Sequence, residues 1–314
     1  MTEMLAMDTE RTGPPARTKR PSSRPAWMEP PTVGERIVKA VGLTIIVVMV
    51  IFPFVTVLAT SLADKDQIGA AGGYVLFPTH PTLAAYKTIF SGGVVLRSIV
   101  VSIGITVVGT LLSLFTTTTL AYALSKKDVL AGRPVLFIVI FTMLFAPGMI
   151  PTYLVVKSLG LLDSYWALIL PVLMSGFNLI VMRSFFMNIP ADLLDSARID
   201  GAGDLTVLWR IVLPLSKAVV AVVGLFYAVG YWNSFFSAQL YLNDPSKWPV
   251  QMVLRTYVVQ GKSLSADQLG VQHIPPAQSI QMAVIVVALI PIVLVYPFLQ
   301  RYFTKGVLTG AVKG

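Results

Sequence analysis

The chain has 314 residues, of which 55% are hydrophobic and only 12% charged, with a mean hydropathy of +0.75 and a formal charge of +9. A soluble domain carries about 25% charged residues, so half that share set between long uncharged runs excludes an ordinary soluble globule and points to a polytopic membrane protein. The absence of cysteine excludes disulfides, thiol nucleophiles and cysteine metal sites, and His80 and His273 stand far apart in expected loops without metal-ligating neighbours.

Residues 1–36 are rich in Pro, Arg, Thr and Ser and lack apolar periodicity, which predicts an unstructured basic cytoplasmic tail. No apolar h-region precedes Val41, so a cleaved signal peptide is not expected. Residues 37–314 then read as one six-span all-α domain. Its apolar segments are Val41–Ser61, Ser98–Ser125, Val135–Val156, Tyr165–Met182, Ala218–Leu240 and Ile280–Leu299. Each approaches the roughly 20 residues that a spanning helix needs. Pro53, Pro147, Pro151, Pro171, Pro291 and Pro297 lie within them and predict kinks. The run Thr116–Thr119, with Gly104 and Gly109, suits close helix packing. The polar loops Leu62–Val94 and Tyr241–Pro276 face outward in this scheme, and Val250–Gln260 is too mixed to assign.

Orientation follows from the basic residues. With both ends inside, 17 of the 24 Lys and Arg fall on the cytoplasmic side. The charge of +9 is therefore mostly topological, and no nucleic-acid partner is expected.

Between the fourth and fifth segments lies a polar island, residues 190–214, reading PADLLDSARIDGAGDLTVLWRIVLP. Pro190 suits the start of a helix over Asp192–Ala202, whose Leu194, Ala197 and Gly201 share a small apolar face. Gly201 and Gly203 break it. Asp204 is expected to cap a second short helix in which Leu205, Leu208 and Val212 share a face, and Pro214 to end it. A knob of this kind at a membrane surface needs a partner groove to cover its apolar side.

The same residues resemble the signature cytoplasmic loop of bacterial ABC importer permeases, E-A-A-x-x-x-G followed by I-x-L-P. Asp195, Ser196 and Ala197 stand at the E-A-A positions, Gly201 at the glycine, and Ile211, Leu213 and Pro214 close the motif. The wider wording IPADLLDSARIDGAG and the terminal KGVLTGAVKG are similar to the carbohydrate branch, in particular the maltose-type subunits with a C-terminal tail. The resemblance covers residues from about 40 to 314. It implies the type I permease fold, a prokaryotic plasma-membrane location, a second homologous permease, two ATPase subunits and an extracytoplasmic binding protein. It also implies that Asp195, Ser196, Ala197, Asp200, Gly201, Ile211, Leu213 and Pro214 form the ATPase-docking loop. The close approach of Ala197 and Gly201 and the polar reach of Asp195 would hold the loop in its cleft. The link through Pro214 would tilt the bundle as ATP closes the ATPases. The tail Arg301–Gly314 would reach into the ATPase dimer, its glycines Gly306, Gly310 and Gly314 letting it follow a narrow cleft.

The source of energy points the same way. No Asp, Glu, Lys, Arg or His lies inside the six segments, so a proton relay or voltage sensor is not expected. There is no G-x-x-x-x-G-K-[ST] run, so ATP and Mg are expected on partner subunits, with no cofactor, metal site or catalytic residue on this chain. For the substrate path, Tyr227, Tyr231 and Ser234 share one helical stripe, which Asn233 extends, and Asn178 and Gln281 are expected from facing helices. Aromatics with amides and hydroxyls suit an uncharged, hydroxyl-rich solute such as a sugar or oligosaccharide. Bundle packing and hydrogen bonding are the alternative for these residues. A permease for a glycerol phosphate ester or a peptide remains open, as do a self-sufficient carrier or channel and a scaffold without flux.

Overall fold

The computed structural model describes residues 32–91, 93–126, 128–256 and 275–311, with side chains described as far as residue 297. The basic tail expected over residues 1–36 lies outside the described residues up to residue 31. Every regular element among them is helical. In chain order these are α1 (Val33–Ser61), α2 (Lys65–Ala70), α3 (Ala84–Phe90), α4 (Gly93–Ser125), α5 (Gly132–Leu144), α6 (Met149–Ser158) and α7 (Trp166–Ile169). There follow α8 (Gly176–Met187), α9 (Ala191–Ile199), α10 (Asp204–Val207), α11 (Leu213–Leu215), α12 (Lys217–Trp232), α13 (Phe235–Tyr241), α14 (Val250–Leu254) and α15 (Ala277–Ala311).

The chain divides into two units, residues 1–51 and 52–314. The described part of the first is the start of α1. Its Val38, Ile45, Ile46 and Met49 are exposed and offer an apolar surface suited to lipid.

In the second unit α4 is the central post. Its 33 residues rise roughly 50 Å at 1.5 Å each. Small and hydroxylated residues let its neighbours come close. Gly109 faces the ring of Tyr231 on α12, and Gly224 of α12 faces Leu114. The close packing expected of Gly109 is therefore present, whereas Gly104 has nothing within 4 Å of where a Cβ would stand. Within the threonine run, Thr117 meets Tyr227 and the Thr118 hydroxyl donates to the Met182 sulfur at 3.3 Å. The largest core cluster joins Ile105, Ala121 and Leu124 of α4 to Leu179 and Met182 of α8 and to Val219 and Val223 of α12. A second cluster sets Trp232 against Ile280 and Val284 of α15 and Ile89 of α3.

Among the described residues three helices are long and apolar enough to cross a bilayer, namely α1, α4 and residues 277–297 of α15. The third and fourth expected spans are each broken into a helix pair, and the fifth, Ala218–Leu240, is α12 followed by α13. The α5–α6 pair bends by 119°, the α7–α8 pair by 52°, and the stretch Asp204–Leu215 meets α12 at 87°. The α5–α6 break comes at Pro147 and at Gly148, whose φ of +82° is open chiefly to glycine. The prolines inside α1 and α15 interrupt neither helix.

The stretch Val250–Gln260, left unassigned, begins with α14, whose Val250 N–H donates to the Ser102 hydroxyl at 2.8 Å. The backbone of the tail from Arg301 is helical to Ala311, as a continuation of α15. Glycines within a helix cost only about 1 kcal/mol each, so Gly306 and Gly310 do not break it.

Candidate functional site: a surface segment and an intramembrane cavity

The polar island folds as predicted in outline, with its details revised. Pro190 is the N-cap of α9, and Asp192 stands in the first turn, where the helix dipole favours an acid. At the other end Ala202 N–H donates to the Ala197 carbonyl at 2.9 Å, and Gly201 N–H to the Arg198 carbonyl at 3.0 Å. Gly201 has a φ of +81°. This is a Schellman closure, and Gly201 is there for its left-handed backbone. A Cβ on it would meet nothing within 4 Å.

The second helix starts on Gly203 as N-cap, and Asp204 is its first residue. Asp204 was expected to cap, but its carboxylate is taken by Lys126 at 2.6 Å. Pro214 does not end the helix either. A π-helical turn over Leu208–Val212 runs on into α11, so Pro214 sits near the C-terminal end of one helical stretch, Asp204–Leu215, that continues past it by one residue. The bend falls two residues later, at Ser216, between α11 and α12.

The faces of this segment are also reversed. Leu194 and Ala197 turn towards the core, and Val207, Leu208 and Val212 are fully buried in it. Of the expected apolar face of the second helix, Leu205 alone stays outside. The outward apolar residues are Leu193, Ile199, Leu205 and Trp209, and Ile199 is 87% exposed. Sequence reasoning missed Ile199 and Trp209. Ile199 falls off the apolar stripe of its helix, and that displacement was the available signal; Trp209, four residues after Leu205 and three before Val212, lies on the stripe of a regular helix and carried no such signal. Asp195 is exposed and paired with Arg198 at 3.2 Å, the Ser196 hydroxyl donates to the Asp192 carbonyl at 2.7 Å, and Asp200 and Pro214 are exposed. Ile211 and Leu213 are half-buried.

Within the bundle a cavity of about 550 Å³ brings together Asn178, Tyr227, Tyr231, Asn233 and Ser234. Five of the six candidate path residues therefore meet. Gln281, on α15, does not line it. Phe177, Phe226 and Phe236 complete an aromatic wall, and no charged residue is in the lining. The two tyrosine hydroxyls are already engaged. Tyr227 Oη accepts from Ser175 N–H at 2.9 Å and lies 2.7 Å from the Thr117 hydroxyl. Tyr231 Oη lies 2.8 Å from the Ser113 hydroxyl and donates to the Ile169 carbonyl at 3.4 Å. Their rings face the cavity while their polar ends brace α4 and α7. The Ser234 hydroxyl is buried without a protein partner.

At the start of α4 a loop clamp closes the fold. Asp163, at a φ of +58°, accepts from Asn243 N–H and Asp244 N–H at 3.1 Å each, and from Lys247 Nζ at 2.9 Å. The Lys247 ammonium, together with the Asp244 amide, holds the Asp163 carboxyl below the usual carboxylate range. Asp163 in turn raises Lys247 above the usual amine value.

Residues 118–309 match the family described as binding-protein-dependent transport system inner membrane component. The chain belongs to this family. Among relatives of this inner membrane component is the polygalacturonan/rhamnogalacturonan transport system permease protein YtcP of Bacillus subtilis (strain 168), 50% identical over 84% of this chain and 93% of the relative. Protein LplC of the same strain is 53% identical over 84% of this chain and 90% of its own length. A solved structure of a bacterial ABC transporter involved in import of the acidic polysaccharide alginate aligns with a TM-score of 0.79 at 31% identity, covering 88% of this chain and 100% of that one. The all-helical architecture is thus that of an ABC importer permease, and the inner membrane component is a multi-pass transport subunit.

Proposed function

We propose that this permease carries a sugar or oligosaccharide delivered by an extracytoplasmic binding protein, and that it is driven by ATP hydrolysed on two separate ATPase subunits. A second, homologous permease completes the pathway. Both chain ends lie in the cytoplasm, and the permease domain starts with α1, which takes in residues 33–36 that the composition groups with the tail. The observation that carries the substrate reading is the cavity. Its aromatic, amide and hydroxyl lining without a charge suits the stacking faces and hydroxyls of a carbohydrate. Half-identity to a polygalacturonan/rhamnogalacturonan permease supports the same class.

The geometry supports α9 and α10 as the docking segment. Leu193, Ile199, Leu205 and Trp209 give an otherwise polar surface segment an outward apolar patch that a partner groove would cover. Asp195, Ser196 and Asp200 supply its polar rim. Gly201 sets the turn that holds the two helices together. Ala197, Leu213 and Ile211 anchor the segment from within, so a push on its outer side reaches the core.

Reconstitution in liposomes tests this reading. The complete four-subunit importer with its binding protein should accumulate an oligosaccharide, tried both as a neutral oligosaccharide and as oligogalacturonide, only when ATP is present on the ATPase side. Accumulation by this chain alone would sink the proposal, since a carrier needing no ATPase is a different machine.

A further inference from the structure

Lys126 stands one residue beyond the end of α4, and its ammonium lies 2.6 Å from the Asp204 carboxylate that opens α10. The same ammonium sits 4.5 Å from the centroid of the Tyr122 ring. Around this contact the two parts of the fold are held apart by a cavity of about 640 Å³, bordered by Tyr122, Phe186, Leu194 and Arg198. The ion pair spans this space at the outer edge of the segment, while deeper in Val207, Leu208 and Val212 pack into the same core as Ala121 and Leu124 of α4. Arg198 does not compete for the same acid in the structure, since it is paired with Asp195. The covalent exit from the segment is different in kind. It passes through the 87° bend at Ser216 into α12.

We propose that Lys126 and Asp204 form a releasable latch that passes movement of the docking segment to α4, in parallel with the covalent route through Ser216 into α12. This rests on the reading of α9 and α10 as the segment moved by the ATPases. Three observations favour a latch over a fixed brace. Asp204 is 67% exposed, so water can take the place of the ammonium at its carboxylate when the pair opens. The cavity leaves room beside α9 for the outer end of the segment to shift against α4 about its buried residues Val207, Leu208 and Val212. And α4 is the helix whose Ser113 and Thr117 hold Tyr231 and Tyr227 at the intramembrane cavity, so a pull on its end acts on the substrate path. Lys126 is a positioning residue in this scheme; it touches no solute.

The test uses the assembled importer in proteoliposomes. Lys126→Gln and Asp204→Asn should each copurify with the ATPase subunits yet move about two- to fivefold less solute per ATP hydrolysed, the bias available from one surface ion pair. The reversed pair, Lys126→Asp with Asp204→Lys, should restore that ratio to within about twofold of the parent. A merely structural contact would alter the yield of complex and leave solute per ATP unchanged. The chain has no cysteine of its own, so Lys126→Cys with Asp204→Cys can be bridged selectively by a bifunctional thiol reagent. Bridging should stop uptake and be undone by cleaving the reagent. An unchanged ratio in both single variants, failure of the reversed pair to restore it, or full uptake in the bridged complex would overturn the latch. If the unaltered chain fails to bind the ATPases or takes up solute without them, the docking reading falls first and the latch with it.

Discussion

Gly109 on α4 lies so close to the ring of Tyr231 on α12 that a Cβ at position 109 would stand 2.7 Å from the ring's Cζ. The ring cannot swing aside freely, because its hydroxyl is held by Ser113 and reaches the Ile169 carbonyl. Gly109→Ala would gain about 1 kcal/mol of helix propensity. It should still lose overall, because overpacking a tight contact costs roughly 1–3 kcal/mol. Gly104→Ala, one turn and a half away with open space around it, takes the propensity gain without the clash. Thermal unfolding in detergent should show the first variant destabilised and the second unchanged or stabilised. Equal melting points would refute the contact.

The tyrosine hydroxyls yield a second prediction. Tyr227→Phe removes the partner of Thr117 and leaves the Ser175 N–H unpaired, while the ring that faces the cavity remains. Interhelical hydrogen bonds in membranes are worth about 0.6 kcal/mol on average and at most about 1.7. The variant should lose stability on that scale, with the KM for uptake little changed. A large rise in KM without loss of stability would show instead that the hydroxyl binds the solute.

Gly201 and Ile199 separate backbone from surface. At a φ of +81°, alanine costs roughly 1–2 kcal/mol, whereas asparagine tolerates the left-handed region better. Gly201→Asn should therefore retain more uptake than Gly201→Ala, although asparagine is larger. The reverse order would mean that bulk, not conformation, is what matters there. Ile199→Asp changes an 87% exposed side chain and should leave the fold intact. Loss of an apolar anchor of this kind weakens binding by about tenfold or more, read as ATPase subunits recovered on purification. Undiminished recovery would remove Ile199 from the docking surface.

The loop clamp predicts a pH profile. Asp163 has its pKa lowered in the folded chain, so its contribution is present above the ordinary carboxylate value, about 4, and is lost as pH falls through the lowered one. Lys247 has its pKa raised, so its contribution is full below the ordinary amine value, about 10, and is lost as pH rises through the raised one. The ion pair's share of thermal stability should thus be flat between those limits and fall outside them. Asp163→Asn keeps a residue that accepts a positive φ and removes only the charge. It should abolish the acid limb attributable to the pair; an unchanged limb would place it elsewhere.

Much of this protein was written in its composition. Long uncharged runs cannot be solvated, so the membrane character of the chain and the polar island between its fourth and fifth apolar segments follow from hydropathy alone. Gly201 closes its helix as the local pattern requires, because a Schellman turn depends on a few consecutive residues. The grouping of Asn178, Tyr227, Tyr231, Asn233 and Ser234 was likewise accessible from the helical period, which put most of them on one stripe.

Tertiary structure alone decided the rest. Whether Leu194 and Ala197 face a partner or their own core depends on what lies beneath α9, and no local pattern encodes a neighbour distant in sequence. Asp204 left its capping role because Lys126, 78 positions earlier, offered a stronger electrostatic partner. Tyr227 and Tyr231 took on brace duty because Thr117 and Ser113 arrive opposite them on α4. Hydrophobicity is a property of each residue and so can be read in order along the chain. A contact is a property of two residues, and it exists only once folding has chosen the pair.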